Sequence, residues 1–239
     1  MEPVSSETPA QPMSLVQRLL GIFTRPAAVF AFLNEQPRML GALLAVGALS
    51  GIMGFLLTDV QLYGIRLGME EGGGMEPEKI ETAVRIISYG IPFGWMLLSI
   101  LPVFLVAGVL LLIGNVILGG MTTYRKMVSM MAHLGIITIP QLLVKFLLTR
   151  MQGDMEAAQR TLESGTSLAA LVGEKGPVYY ALSQLDLFNL WQLGLAVIGM
   201  AILAKVPTQR AAAGLIGAWV LFSIVLVVIQ TLTGAAQGS

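Results

Sequence analysis

The chain has 239 residues and 14 basic against 14 acidic side chains, so no net charge points to nucleic acid or a strongly charged partner. Hydrophobic residues make up 55% and charged residues 12%, with mean hydropathy +0.78. A soluble domain carries about 25% charged residues, so this sequence cannot cover a water-facing surface and is read as an integral membrane protein. The absence of cysteine and the single histidine, His133, argue against disulfides, thiolate chemistry and a protein-built zinc or haem site.

Residues 1–12 (MEPVSSETPAQP) are polar and hold no Lys or Arg, so they are read as a disordered tail rather than a signal peptide, with Met1 retained. Two amphipathic helices are expected over 13–36. In MSLVQRLLGIF, Leu15, Val16, Leu19, Leu20 and Phe23 share one helical face, with Gln17 and Arg18 opposite. Thr24-Arg25-Pro26 then ends this helix and starts the next, AAVFAFLN, which stops before Pro37. Two arrangements remain open. The pair lies in the cytoplasmic headgroup layer with its arginines toward lipid phosphates, or it packs against the protein's own spans.

A bilayer crossing takes about 20 apolar residues, and five segments qualify: 39–58, 91–118, 127–149, 187–204 and 211–233. The fold is therefore expected to be an all-α, five-span membrane domain over 37–233, followed by a short tail at 234–239. Between the spans, PEKIETAVRII (Ile80, Ala83, Val84, Ile87) and the stretch holding Met151, Met155, Ala158 and Leu162 have helical spacing. They are expected as short helices over the outer ends, the first preceded by a flexible tip, EEGGGMEP. Pro92, Pro102 and Pro140 are expected to kink their spans and free carbonyls that need partners.

Orientation follows from the basic residues. Arg18, Arg25 and Arg38 precede the first span, Arg125 and Lys126 lie between the second and third, and Lys205 and Arg210 between the fourth and fifth. With five spans these all fall on one side. Loops 59–90 and 150–186, on the other side, hold 11 acids and 6 bases. The N-terminus is thus expected in the cytoplasm and the C-terminus outside. The seven cations named are candidate contacts for lipid headgroups or a protein partner.

Polar residues at membrane depth are candidates for function, because leaving them in lipid is costly. Lys145 lies about 7–8 Å inside the outer end marked by Arg150; it can snorkel or pair within the bundle. Asp186 and Asp59 stand at the same face, and Asp186 is well placed as the N-cap of the fourth span while also within range of Lys145. Gln141 shares a face with Lys145, and with His133 completes a polar stripe on the third span. Asn115, near the inner end of the second span, suits an interhelical hydrogen bond. Gly47/Gly51 and Gly90/Gly94 form GxxxG pairs that support close packing and leave a homo-oligomer open. No HExxH, GxSxG or GxxxxGKS occurs, so neither an enzyme nor a cofactor is expected. No internal repeat is visible, which weighs against a common transporter plan.

RLLGIFTRPAAVFAFLNEQP, the Ile139-Pro140 pair, and above all DLFNLWQLGLAVIG followed by a short connector and Arg210-Ala211 carry a resemblance. The chain resembles bacterial members of the Yip (Ypt-interacting protein) domain family, with Asp186, Phe188, Trp191, Gly199 and Pro140 as the matching positions. The resemblance implies five spans, a cytoplasmic N-terminus, no catalytic activity and a bacterial cytoplasmic membrane. Eukaryotic relatives bind Rab-type GTPases and act in vesicle formation; the DLYGP-type motif they carry is absent here. The function expected is a non-enzymatic membrane scaffold, adaptor or membrane-shaping protein whose partners are the bilayer and a membrane or cytoplasmic protein. The alternative is a transporter or channel component with a polar path around Lys145, Gln141 and His133.

Overall fold

The computed structural model describes residues 13–237, with side chains through Thr233; the expected tail over 1–12 and most of that at 234–239 lie outside the described residues. Eleven helices follow one another: α1 (Leu15–Thr24), α2 (Pro26–Glu35), α3 (Leu40–Leu56), α4 (Thr58–Glu71), α5 (Pro77–Leu112), α6 (Tyr124–Leu134), α7 (Thr138–Arg150), α8 (Met155–Ser164), α9 (Pro177–Ser183), α10 (Leu187–Ala204) and α11 (Thr208–Gln237). Among the described residues there is no strand, only one bridge between Ser167 and Asp186. The protein is all-α and polytopic. Among the described residues four stretches are long and apolar enough to cross a bilayer: Pro77–Ile117, Tyr124–Arg150, Leu187–Ala204 and α11 as far as Thr233; α3 and α4, bent by 67°, bring the number to five when the pair is counted as one broken span.

The ends of the bundle are told apart by charge. Arg125, Lys205 and Arg210 mark a basic end, and the loops bearing Asp59, Glu163 and Asp186 mark an acidic one. α3 runs antiparallel to α5, with Gly47 against Ile100, Gly51 against Met96 and Gly54 against Trp95. At 1.5 Å per residue, Ile100 lies about 25 Å from the basic end of α5 at Ile117. α3 therefore begins roughly 15 Å short of that level.

The α1–α2 pair fills the space beneath. Its members fold back about Arg25, which caps one helix and opens the other; Gly21 meets Val29 and Arg18 lies 5.7 Å from the Phe32 ring. Ser14 and Gln17 form a capping box that fixes the start of α1, and Pro26 at the first turn of α2 loses no hydrogen bond. α2 runs along α10: Phe23, just before the apex, packs edge-on against Trp191 at 5.5 Å, and Phe30 reaches Gly199. Ile22, Val29, Phe30 and Leu33 are fully buried in one core with α3, α5, α6 and α10. The pair is thus a hairpin docked on the protein's own spans. Enough of both faces is apolar for the core to claim one and leave Val16, Leu20, Ala27, Ala28 and Ala31 outward.

Two outer elements depart from expectation. PEKIETAVRII is not a separate helix over the bundle; it is the first third of α5, which continues to Ile117 as a 41-residue rod about 60 Å long. No turn residue stops it, because Gly90 and Pro92 are both accommodated within the helix. α4, within the stretch read as a loop, packs on the outer part of α5 and on α8, tied by Arg66–Glu81 and by Trp95 Nε1 donating to Gln61 at 2.6 Å. Leu57, Val60, Ala158 and Leu162 form a small second core there.

The prolines also differ from one another. Pro140 is in the first turn of α7, where its missing N–H is one that has no intrahelical partner, and a 3₁₀ turn at Gly135–Ile137 joins α6 to α7.

At Gly199 an added Cβ would stand 2.4 Å from Met130 Sδ and 3.4 Å from Phe30. Gly199→Val should therefore push the hairpin off α10 and destabilise the protein by about 1–3 kcal/mol, read as a lower thermal midpoint in detergent. An unchanged midpoint would show that the hairpin is not seated on this residue.

Candidate functional site

Asp186 is 4% exposed and joins two elements. Its Oδ1 accepts from the amides of Phe188 (2.9 Å) and Asn189 (3.1 Å), and its Oδ2 from the Thr166 hydroxyl. The first pair caps α10 where the helix dipole favours a carboxylate. The second fastens the loop after α8, reinforced by Leu187 N to Thr166 O (3.1 Å) and Leu168 N to Leu185 O (3.2 Å). Lys145 makes no ion pair with Asp186; its Nζ reaches only the Glu163 carbonyl, at 3.5 Å. Glu163 spends its carboxylate on Lys175 at 2.8 Å, and that contact holds the Lys175 ammonium above its usual range. Asp59 pairs bidentately with Arg150 (2.6 and 2.9 Å), which also donates to the Leu56 carbonyl and so closes the junction of α3 and α4.

Arg18, expected among the lipid- or partner-facing cations, is instead 5% exposed. Its Nη1 donates to the Met13 carbonyl (2.7 Å), its Nε to His133 Nε2 (3.2 Å), and the Phe32 ring lies beneath it. Because arginine only donates, His133 Nε2 must be the acceptor, and the ring proton sits on Nδ1, 2.8 Å from the Ser129 carbonyl. The pair latches the hairpin to α6. Ser129 in turn donates to the Arg38 carbonyl, and Lys126 to Asn34 at the end of α2. Asn115 bridges both backbone groups of Thr122 across the π turn at Ile113–Ile117 that ends α5.

The His133, Gln141 and Lys145 stripe is not brought to one place. His133 belongs to the hairpin latch, while Lys145 belongs to the acidic end. The structure opens elsewhere. A crevice of about 450 Å³ lies between α5 and α11 over α10, with Gln184, Asn189 and Gln192 at its polar margin. Gln192 donates to the Leu134 carbonyl at 3.1 Å, beside the break between α6 and α7. A second, of about 330 Å³, lies between α9 and α11. Sequence reasoning missed both, since their walls are ordinary leucines and valines of spans; the signal was the amide spacing Gln184, Asn189, Gln192 at the head of α10.

Of the cations, Arg25, Arg38, Arg125, Lys205 and Arg210 are exposed. Arg125, Lys205 and Arg210 lie at the basic end, where Met121 N donates to Ala204 O and draws the α5–α6 loop onto the α10–α11 connector; Arg38 stands deeper, at the foot of α3 beside Ser129 of α6, and Arg25 at the hairpin apex. No group of three or more His, Cys, Asp or Glu suited to a metal occurs among the described residues.

Asp186→Ala should cost about 1–2 kcal/mol and free the 165–176 loop to proteolysis. Asp186→Asn, which keeps an acceptor but loses the charge at the dipole, should cost only about 0.3–1 kcal/mol. Equal thermal midpoints for the two variants would refute the cap.

The comparisons with known proteins agree with this architecture. The Yip1 domain matches residues 20–229. A relative described as "Membrane protein YknW", from Bacillus subtilis (strain 168), is 30% identical over 210 residues, covering 87% of each chain. No solved structure matches. With nearly nine-tenths of its length inside the domain and a bacterial relative aligned over 87% of each chain, the chain is a bacterial-type member of the Yip1 domain family.

Proposed function

We propose that this protein is a non-enzymatic membrane scaffold, in the cytoplasmic membrane of a bacterium, that recruits a partner through its basic end. In this reading the N-terminus faces the cytoplasm and the C-terminus lies outside, as the distribution of lysine and arginine favours. The observation that carries the proposal is that Arg125, Lys205 and Arg210 are all exposed on two segments joined at the basic end, with Arg38 exposed between the docked hairpin and α3. Glu35 is the one exposed carboxylate beside them among the described residues. The hairpin adds an outward apolar strip of Val16, Leu20, Ala27, Ala28 and Ala31 next to these charges. An acidic cytoplasmic segment suits such a surface. The same strip, seated in one leaflet, suits membrane shaping.

The test is cross-linking of tagged protein in its native membrane, followed by identification of what co-purifies in stoichiometric amount. Replacing the four cations by glutamine should lower recovery of the partner about tenfold or more, since several rim charges at 0.2–1 kcal/mol each sum to that factor. Partner recovery that is indifferent to all four substitutions would sink the reading. Recovery of lipid alone would leave membrane shaping.

A further inference from the structure

We propose that the two crevices flanking α11 hold one two-chain bilayer lipid, with an acyl chain in each and the ester region at Gln184. The crevices share two lining residues, Gln184 and Trp219, and so meet at one place. The first is walled by Val106, Leu110 and Ile113 of α5 and by Leu215, Phe222 and Leu226 of α11. The second is walled by α9 and by Val220, Ile224 and Val228.

Size and polarity decide the occupant. About 450 Å³ is the room of some fifteen water-sized groups, which is one acyl chain; a transmembrane helix of 10–12 Å diameter does not fit. Polarity changes along the first crevice. Gln184 and Asn189 stand at the head of α10, and Ile113 and Leu215 at the opposite end are wholly apolar. A glycerolipid has the same order, ester carbonyls above hydrocarbon. The Asn189 side-chain carboxamide makes no hydrogen bond with the described residues, and so offers its N–H groups to such a carbonyl. In the second crevice the Ser223 hydroxyl is buried without a partner among the described residues, a costly state in an apolar setting that a lipid oxygen relieves. No charged side chain lines either crevice, so the site reads chains and esters and is indifferent to headgroup charge.

The test uses the full chain in vesicles of phosphatidylethanolamine and phosphatidylglycerol, containing as a minor component a phosphatidylethanolamine with a diazirine midway along one acyl chain. After irradiation, label should concentrate on Leu110, Ala196 and Ala218 rather than on Leu105 and Leu221, which are 75% and 65% exposed on the lipid-facing sides of the same helices. Ala218→Trp fills the first crevice and should lower the wall label about tenfold, the factor of one 1.4 kcal/mol step. Leu221→Trp should leave it unchanged. Asn189→Leu, an exposed site where folding is not at stake, should lower the label with unchanged circular dichroism. Label spread evenly along α5 and α11 and indifferent to Ala218→Trp would overturn the proposal. So would disulfide-linked dimers of an Ala218→Cys variant in this otherwise cysteine-free chain, because the crevice would then be a subunit interface.

Discussion

The missing side chain at Gly199 is the contact on which the rest of the arrangement depends. It lets Met130 and Phe30 close on the α10 backbone, and so lets α2 pack along that helix instead of standing off it. With α2 there, Arg18 falls beside His133, Asn34 beside Lys126, and the start of α3 is set well away from the basic end of the bundle. The buried guanidinium is tolerable because each polar group around it is matched: a carbonyl, an imidazole lone pair, an aromatic face. Without that set of partners a cation at this depth would pull the hairpin back toward water.

Polar satisfaction recurs wherever the helices break. Pro140 stands in a first turn, the Leu134 carbonyl at the α6–α7 break takes the Gln192 amide, Asn115 closes the π turn, and Arg150 covers the carbonyl at the α3 bend. The polar residues of this membrane protein are for the most part repairs to interrupted helices. His133 and Lys145, though aligned in sequence, serve different places, the hairpin latch and the acidic end.

The class of fold was legible because twenty-residue apolar runs have few alternatives in a lipid setting. The cap at Asp186 was legible because a carboxylate two and three residues before free amides has an obvious use. The continuity of α5 was not legible. A glycine and a proline at Gly90 and Pro92 read locally as a boundary, and only the packing of α3 and α4 along the rod shows why the helix persists. The fate of Arg18 was equally hidden: α1 has apolar residues on more than one side, and which side faces the core depends on His133, 115 positions away. Lateral crevices leave no mark in sequence, since the same valines serve a crevice and a lipid-facing wall.

The length of α5 has a mechanical meaning. At about 60 Å it is twice the hydrocarbon thickness, with α4 clamped on its outer part and α3 along its middle. Pro92 and Pro102 lie inside it, each withholding one backbone hydrogen bond, and the π turn beside Asn115 ends it at the basic face. One helix thus carries contacts of both faces: α4 packs on its outer part, and the Leu118–Thr123 loop that follows it is fastened to the Lys205 connector. The outer cap and the basic connectors are in this way held by a single covalent element.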